Sequence, residues 1–183
     1  MLFDKLPYWY FFGAVLLLLG ALRPTAGKWL LVIASYVFYA FWDVRFLALL
    51  GLSTLANWAF GLWIDRGENA ARKRALTCAI VFNLGVLGFF KYFHFGVDSY
   101  NALVSAAGLD AATWHPILRV VLPLGISFYT FQSLSYIIDV YRGDAAAMSS
   151  FIDFSCFVSM FPHLVAGPIL QFSFLAKQLE RRS

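Results

Sequence analysis

Charged residues are scarce in this sequence of 183 residues. Asp, Glu, Lys and Arg together make up 13% of the chain, whereas 61% of it is hydrophobic. Soluble domains carry about 25% charged and about 45–50% apolar residues. Because a water-facing surface cannot be covered with so few charges, the composition excludes an ordinary soluble domain and indicates helices that cross a lipid bilayer.

Cysteine and the common site motifs are also scarce. The two cysteines, Cys78 and Cys156, lie in apolar runs without metal-ligand or CxxC spacing, so we interpret both as small buried hydrophobic residues. The sequence has no glycine-rich phosphate loop, no Ser-His-Asp order and no pair of carboxylates spaced for acid–base chemistry. These absences predict a protein without a bound metal or cofactor.

The positive net charge of the chain comes mostly from basic residues in the loops between hydrophobic runs. The net charge is +4 at pH 7, and the basic residues lie mostly beside hydrophobic runs. Such loops stay on the cytoplasmic side of a membrane, so the charge gives no reason to expect a nucleic-acid partner. The densest cluster, between Asp65 and Arg74, predicts an N-terminus outside, with this loop, the Arg23/Lys28 loop and Arg142 inside.

Long hydrophobic runs fill most of the sequence, and a bilayer core of about 30 Å needs about 20 residues per span. The runs are Leu6–Leu22, Trp29–Trp42, Phe46–Ile64, Ala75–Phe90, Val120–Ile138 and Phe154–Ala176. They predict an all-α, polytopic transmembrane bundle of about five to six spans, forming a single membrane domain over residues 1–183. The mixed stretch His94–Pro116 predicts a connection that contains an interfacial helix.

The last run is interrupted by Pro162 and by Gly167-Pro168. Each proline removes a backbone donor, and non-helical backbone survives at membrane depth only where protein or a cavity surrounds it. We therefore predict a broken or re-entrant segment within Phe154–Ala176. His163 lies at this break, where a neutral imidazole could either donate to a freed carbonyl or take part in substrate handling.

One predicted helix is too polar to face lipid. At about 100° per residue, Gln132, Ser135 and Asp139 share one face, while Ser127, Thr130 and Ser133 share another. Polar groups on two faces predict protein or water on both sides. Two interpretations stay open: interhelical hydrogen bonding in a packed bundle, or a helix lining a substrate passage. The candidate passage residues are Ser127, Thr130, Gln132, Ser135, Asp139 and His163.

Small and amide side chains also recur at helical spacing. Ser53, Asn57 and Gly61 are four residues apart, and Asn83 is a similar isolated amide in a later run. Small residues at this spacing let another helix approach closely, so they predict a packing stripe rather than a site.

Several of these segments together resemble the membrane-bound O-acyltransferase family, in its bacterial alginate O-acetylase branch. The strongest similarity lies in VLPLGISFYTFQ (121–132), YIIDVYRG (136–143) and FPHLVAGPI (161–169), with further similarity in SYVFYAFW (35–42) and FFKYF (89–93). The resemblance spans nearly the whole chain and implies that it is the N-terminal portion of a longer fold.

The resemblance implies a multi-pass protein of the bacterial inner membrane, surrounded by lipid. Such an enzyme moves an acyl group, expected to be acetyl, from a cytoplasmic thioester such as acetyl-CoA to a hydroxyl of a cell-envelope polysaccharide such as alginate. Partner proteins of polysaccharide modification are also implied. The family's general-base histidine is expected beyond Ser183, so no catalytic residue is assigned here and the chain alone is expected to be inactive. The alternative is a transporter or channel-like subunit.

Overall fold

A computed structural model describes residues 6–108, 114 and 121–160. Every regular element in these residues is helical. The elements are α1 (Leu6–Ala21), α2 (Pro24–Asp43), a 3₁₀ turn (Val44–Phe46), α3 (Leu47–Arg66), α4 (Asn69–Ala106), α5 (Ile126–Arg142) and α6 (Phe151–Ser159). The predicted all-α class is confirmed for the described residues, and the first three helices begin and end within a few residues of the hydrophobic runs.

The turn between α2 and α3 is built on one charged pair. The Asp43 carboxylate accepts hydrogen bonds from the backbone N–H of Arg45 at 2.9 Å and from its Nη2 at 2.6 Å. The Arg45 side chain and backbone hold the pKa of Asp43 below its usual value. A short polar side chain that accepts a hydrogen bond from the backbone N–H two residues later is typical of a tight turn. This pair therefore stabilises the tight connection between α2 and α3.

The fourth helix differs from the prediction. It continues from Asn69 to Ala106 without interruption, so the stretch from His94 onward extends α4 and is not a separate interfacial helix up to that point. A helix of 38 residues is about 57 Å long. The hydrocarbon core is about 30 Å thick, so at ordinary tilt α4 extends well beyond it. Residues 109–113 and 115–116 of the predicted connection lie outside the described residues.

The fifth helix begins later than the predicted run at Val120. Gly125 adopts φ 70°, a left-handed conformation that favours glycine, and α5 starts at the next residue. At its other end Gly143 adopts φ 81° and donates its N–H to the carbonyl of Val140. A glycine in this conformation commonly terminates a helix, so α5 is bounded at both ends by glycines.

The sixth helix is short, as the proline pattern predicts. The Ser150 hydroxyl accepts the N–H of Asp153 and caps its start. The helix ends at Ser159, and Met160 has φ −54° and ψ 109°, outside the helical region. The prediction that Phe154–Ala176 is not one straight helix is therefore confirmed, while Pro162, His163 and Gly167-Pro168 lie outside the described residues.

Many large apolar side chains are exposed on the outside of this bundle, and several polar side chains are buried in its interior beside an apolar core. Leu17 is 79% exposed and Phe95 is 70% exposed, whereas Asn57 is fully buried. Large exposed apolar surfaces require a partner, and lipid is the partner that fits a whole bundle. Among the residues that the structure describes, two helices are long and apolar enough to cross a bilayer, Val44–Arg66 and Asn69–Ala106, and shorter apolar helices occupy Tyr8–Ala21 and Thr25–Phe41. These features support a membrane location.

Two buried amides join α3 to α4. Asn57 Nδ2 donates to Asn83 Oδ1 at 3.1 Å, and Asn83 Nδ2 donates back to Asn57 Oδ1 at 2.6 Å. Each amide also donates to a backbone carbonyl of its own helix, that of Ser53 or Ala79. This reciprocal pair confirms that both asparagines serve packing between helices.

Replacing Asn57 with leucine should therefore lower the free energy of unfolding by roughly 1–2 kcal/mol, because the buried Asn83 amide loses its partner. The Asn57→Leu/Asn83→Leu double variant should lose less than the sum of the two single variants. Detergent unfolding of the three variants measures this. Strictly additive losses would show that the two amides are not coupled.

Contacts between helices place most of the basic residues that the structure describes at one end of the bundle. Lys28 Nζ at the start of α2 lies 2.9 Å from the Asp153 carboxylate of α6. Arg72 at the start of α4 reaches the carbonyl of Tyr141 at the end of α5. The end so defined, here called the basic end, carries Arg23, Lys28, Arg66, Arg72, Lys73, Arg74 and Arg142. The Asp43/Arg45 turn lies at the opposite end.

Candidate functional site

The polar helix α5 is the centre of the candidate site and packs against α3, α4 and α6. Its contact with α3 depends on Gly61, where a Cβ would overlap the phenol of Tyr136. Tyr136 is fully buried, and its hydroxyl accepts the N–H of Met148 at 3.2 Å. Met148 also accepts the indole N–H of Trp58 at 2.9 Å through its carbonyl. These bonds hold the segment between α5 and α6 against α3.

Both ends of α5 are fixed by residues distant in the sequence. The hydroxyl of Tyr39 on α2 donates to the carbonyl of Leu124, just before the helix, at 3.0 Å. At the other end Arg72 Nη2 donates to the carbonyls of Val140 and Tyr141 at 3.3 and 2.8 Å. The Arg72 guanidinium also lies 5.7 Å from the centre of the Tyr141 ring. A cation at the C-terminal carbonyls of a helix is stabilising because it opposes the negative end of the helix dipole.

The predicted passage residues occupy different environments. Thr130 and Gln132 are buried, Ser135 and Asp139 are half-buried, and Ser127 is exposed. His163 lies outside the described residues. The structure therefore brings Thr130 and Gln132 into the interior and leaves Ser127 at the surface. Their assignment to a passage stays a prediction.

Gln132 makes a side-chain hydrogen bond between α5 and α6. Its Nε2 donates to the carbonyl of Phe157 at 2.7 Å. On α6, the Ser159 hydroxyl donates to the carbonyl of Ser155 at 2.6 Å. Within the described part of the chain, Gln132 Oε1 and the hydroxyls of Ser133 and Ser155 are buried without a hydrogen-bond partner. Unpaired buried polar atoms are costly, so they mark this region as one with unused hydrogen-bonding capacity.

We call Thr130, Gln132, Ser133, Ser155 and Ser159 the α5–α6 polar set. Its members are neutral amides and hydroxyls, which can donate and accept hydrogen bonds but are weak bases at neutral pH. General-base chemistry needs a group with a pKa nearer the working pH. In the part of the chain that the structure describes, no group of three His, Cys, Asp or Glu residues could hold a metal ion. The set can therefore form hydrogen bonds but contains no general base.

Three contributors to this arrangement were not singled out from the sequence. Arg72, Trp58 and Tyr136 each bond to a backbone group at or beyond the end of α5. Arg72 lies in the basic cluster that the charge pattern assigns to a loop, and the two aromatic residues lie within apolar runs. Sequence spacing carries no signal for these contacts, because their partners are 12 to 90 residues away.

Comparison with known proteins gives a consistent set of relatives. No family model and no solved structure matches the chain. A probable alginate O-acetylase AlgI from Azotobacter vinelandii is 43% identical over 186 residues, covering 100% of this chain and 37% of the relative. The Pseudomonas aeruginosa protein of the same description is 49% identical over 156 residues, covering 84% of this chain and 29% of the relative.

A more distant relative acts on a different polymer according to its name. A peptidoglycan O-acetyltransferase from Helicobacter pylori is 32% identical over 198 residues, covering 94% of this chain and 36% of the relative. The chain spans about a third of the length of these relatives. The similarity nevertheless includes the whole of this chain, with its polar α5 and the break after α6. By this similarity the chain belongs to the membrane-bound O-acyltransferase family, in the branch of the alginate O-acetylases.

Proposed function

We propose that this chain is part of an O-acetyltransferase that acts on a cell-envelope polysaccharide. The observation that carries the proposal is the 43% identity to an alginate O-acetylase over the full chain. The peptidoglycan O-acetyltransferase relative supports the broader reaction class, acetyl transfer to a hydroxyl of an envelope polymer. The transporter alternative is not favoured, since these relatives carry transferase names.

The acetyl donor that fits this proposal is a cytoplasmic thioester such as acetyl-CoA, with alginate or a related polymer as acceptor. The protein would act as a multi-pass protein of the bacterial inner membrane, together with other proteins of polysaccharide modification. Five to six spans are proposed, and in the described residues two helices meet the length and hydropathy expected of a membrane-crossing helix. The chain's own contribution is the α5–α6 polar set, which can bind and orient but supplies no base.

A chimeric enzyme tests the proposed function. This chain would replace the homologous region of the A. vinelandii relative, and the product would be expressed in a strain that lacks its own alginate O-acetylase. We expect acetyl esters on the exported alginate at ten per cent or more of the amount made with the unaltered relative. A chimera that is present in the membrane in equal amount and leaves the alginate unacetylated would contradict the proposal.

The orientation of the bundle is a separate proposal. The basic end should face the cytoplasm, because clustered Lys and Arg beside spans resist translocation. Asn69, which is exposed at the start of α4, should not react from outside intact cells when changed to cysteine in a Cys78→Ala background. Cysteine at the exposed position Val44, in the opposite turn, serves as the matched control and should react. Reaction at position 69 from outside would reverse the assigned orientation.

A further inference from the structure

Helix α4 packs against α3 and α5 through one face. The buried residues of that face are Ala75, Ala79, Asn83, Leu87 and Val97. At about 100° per residue, the opposite face, here called the outer face of α4, carries Cys78, Val81, Gly85, Gly88, Phe95 and Leu103. All of these residues are exposed except Gly88, which is half-buried. The outer face is therefore uncovered along the length of the helix.

Lipid chains are too short to cover the whole outer face. The apolar part of α4 begins at Ala75, and the helix rises about 42 Å from there to Leu103. At the average tilt of about 20° this stretch still spans about 39 Å, whereas the hydrocarbon core is about 30 Å thick. By contrast, α1 is about 24 Å long, so lipid can cover its exposed face completely. With the basic end at one boundary of the core, the far part of the outer face lies beyond the lipid chains.

Large apolar side chains are nevertheless exposed at this far part. Phe95 is 70% exposed, and Leu103, about two helical turns further, is 71% exposed. Trp114 is 51% exposed and is held beside the end of α4 by Asn101. The Asn101 side chain donates to the Trp114 carbonyl at 2.9 Å and accepts its N–H at 2.7 Å. An exposed apolar surface that lipid does not reach indicates contact with another segment of protein.

The relatives contain enough additional protein to cover this face. This chain matches 37% of the A. vinelandii relative and 29% of the P. aeruginosa relative, so nearly two thirds or more of each lies outside the match. We propose that, in a full-length protein, the outer face of α4 packs against the part that corresponds to this unmatched region. The inference depends on membership of the family and not on acetyl transfer itself.

Photo-cross-linking in the chimera with the A. vinelandii relative tests this packing. A protease site is placed at the junction after Ser183, and the photoreactive residue p-benzoylphenylalanine replaces Phe95. Phe90 provides the matched control, because it is also a phenylalanine of α4 but its ring lies 6.0 Å from the ring of Phe46, on the side of α3. After illumination and cleavage, a cross-link keeps the two fragments joined on a denaturing gel.

We expect at least ten times more joined fragments with the photoreactive residue at position 95 than at position 90, at equal amounts of chimera in the membrane. Joined fragments at neither position would show that lipid covers the outer face and would overturn the inference. A cross-link from position 95 to a second copy of the chimera or to another protein, instead of to the downstream fragment, would overturn it as well.

A second variant tests how closely the two parts approach. A Cβ added at Gly88 meets nothing within 4 Å, so Gly88→Leu should leave the isolated chain as stable in detergent as before, or more stable through its higher helix propensity. In the chimera it should lower the cross-linked fraction at position 95 at least fivefold, because small residues let helices approach closely. Unchanged cross-linking, or equal destabilisation of the isolated chain, would contradict close packing on this face. If the chimera makes no acetyl ester, the proposed function fails, whereas the cross-link at position 95 still decides what covers α4.

Discussion

Produced alone, the 183-residue chain should enter membranes and resist extraction by alkaline carbonate, yet transfer no acetyl group from acetyl-CoA to alginate. Its apolar helices suffice for insertion. The resemblance to the family assigns the base that activates the hydroxyl to a region after Ser183, and the α5–α6 polar set supplies amides and hydroxyls instead. A positioned base is commonly worth about 10² to 10⁴ in rate, and orientation of the reactants adds more. The expected rate is therefore that of the reaction without enzyme.

Radiolabelled acetyl-CoA, alginate and the purified chain in lipid vesicles provide the measurement. The chimera with the A. vinelandii relative is the positive control, and His163→Ala is made in both proteins. Loss of His163 should have no effect on the isolated chain, whose rate is already at background. Acetyl transfer by the isolated chain that disappears in its His163→Ala variant would contradict this prediction and identify His163 as the base.

Replacing Gly61 with alanine should lower the free energy of unfolding by roughly 1–3 kcal/mol, the usual cost of overfilling a packed interior. The added Cβ would overlap the Tyr136 phenol, and that ring has no room to move. It is fully buried, lies 4.7 Å from the ring of Phe154, and is bonded through its hydroxyl to Met148. Any shift that relieves the overlap therefore disturbs the α3, α5 and α6 contacts together.

Gly85 provides the matched control for this effect. It lies in α4, and a Cβ added there meets nothing within 4 Å, so Gly85→Ala should be neutral or stabilising through its higher helix propensity. Unfolding in detergent measures both variants, and Gly61→Ala should cost at least about 1 kcal/mol less in a Tyr136→Leu background than it does beside Tyr136. Equal stability of the two alanine variants would show that Gly61 is not required for close packing.

The sequence predicted the features that depend on local chemistry. Hydrophobic run lengths located α1, α2 and α3, and the prolines after Met160 predicted that α6 would not continue. The same reasoning did not locate the end of α4, because the mixed stretch from His94 onward was interpreted as a separate connection. A charged side chain favours water over lipid, but it does not break the backbone hydrogen bonds of a helix. No proline lies between Asn69 and Ala106. The helix therefore continues past the hydrophobic part.

The sequence by itself determined that this chain is a set of apolar helices with one polar helix and one break, because composition, run length and proline position act within about 20 residues. The resemblance to O-acyltransferases could also be identified from the sequence alone, because each motif is a contiguous stretch of residues. Only the tertiary structure decided which polar groups meet: Asn57 with Asn83, Arg72 with Tyr141, and Gln132 with Phe157. Helical periodicity places Gln132 on a face of α5, but its partner is a backbone carbonyl of another helix. Such a pairing depends on how the helices pack, which no local pattern specifies.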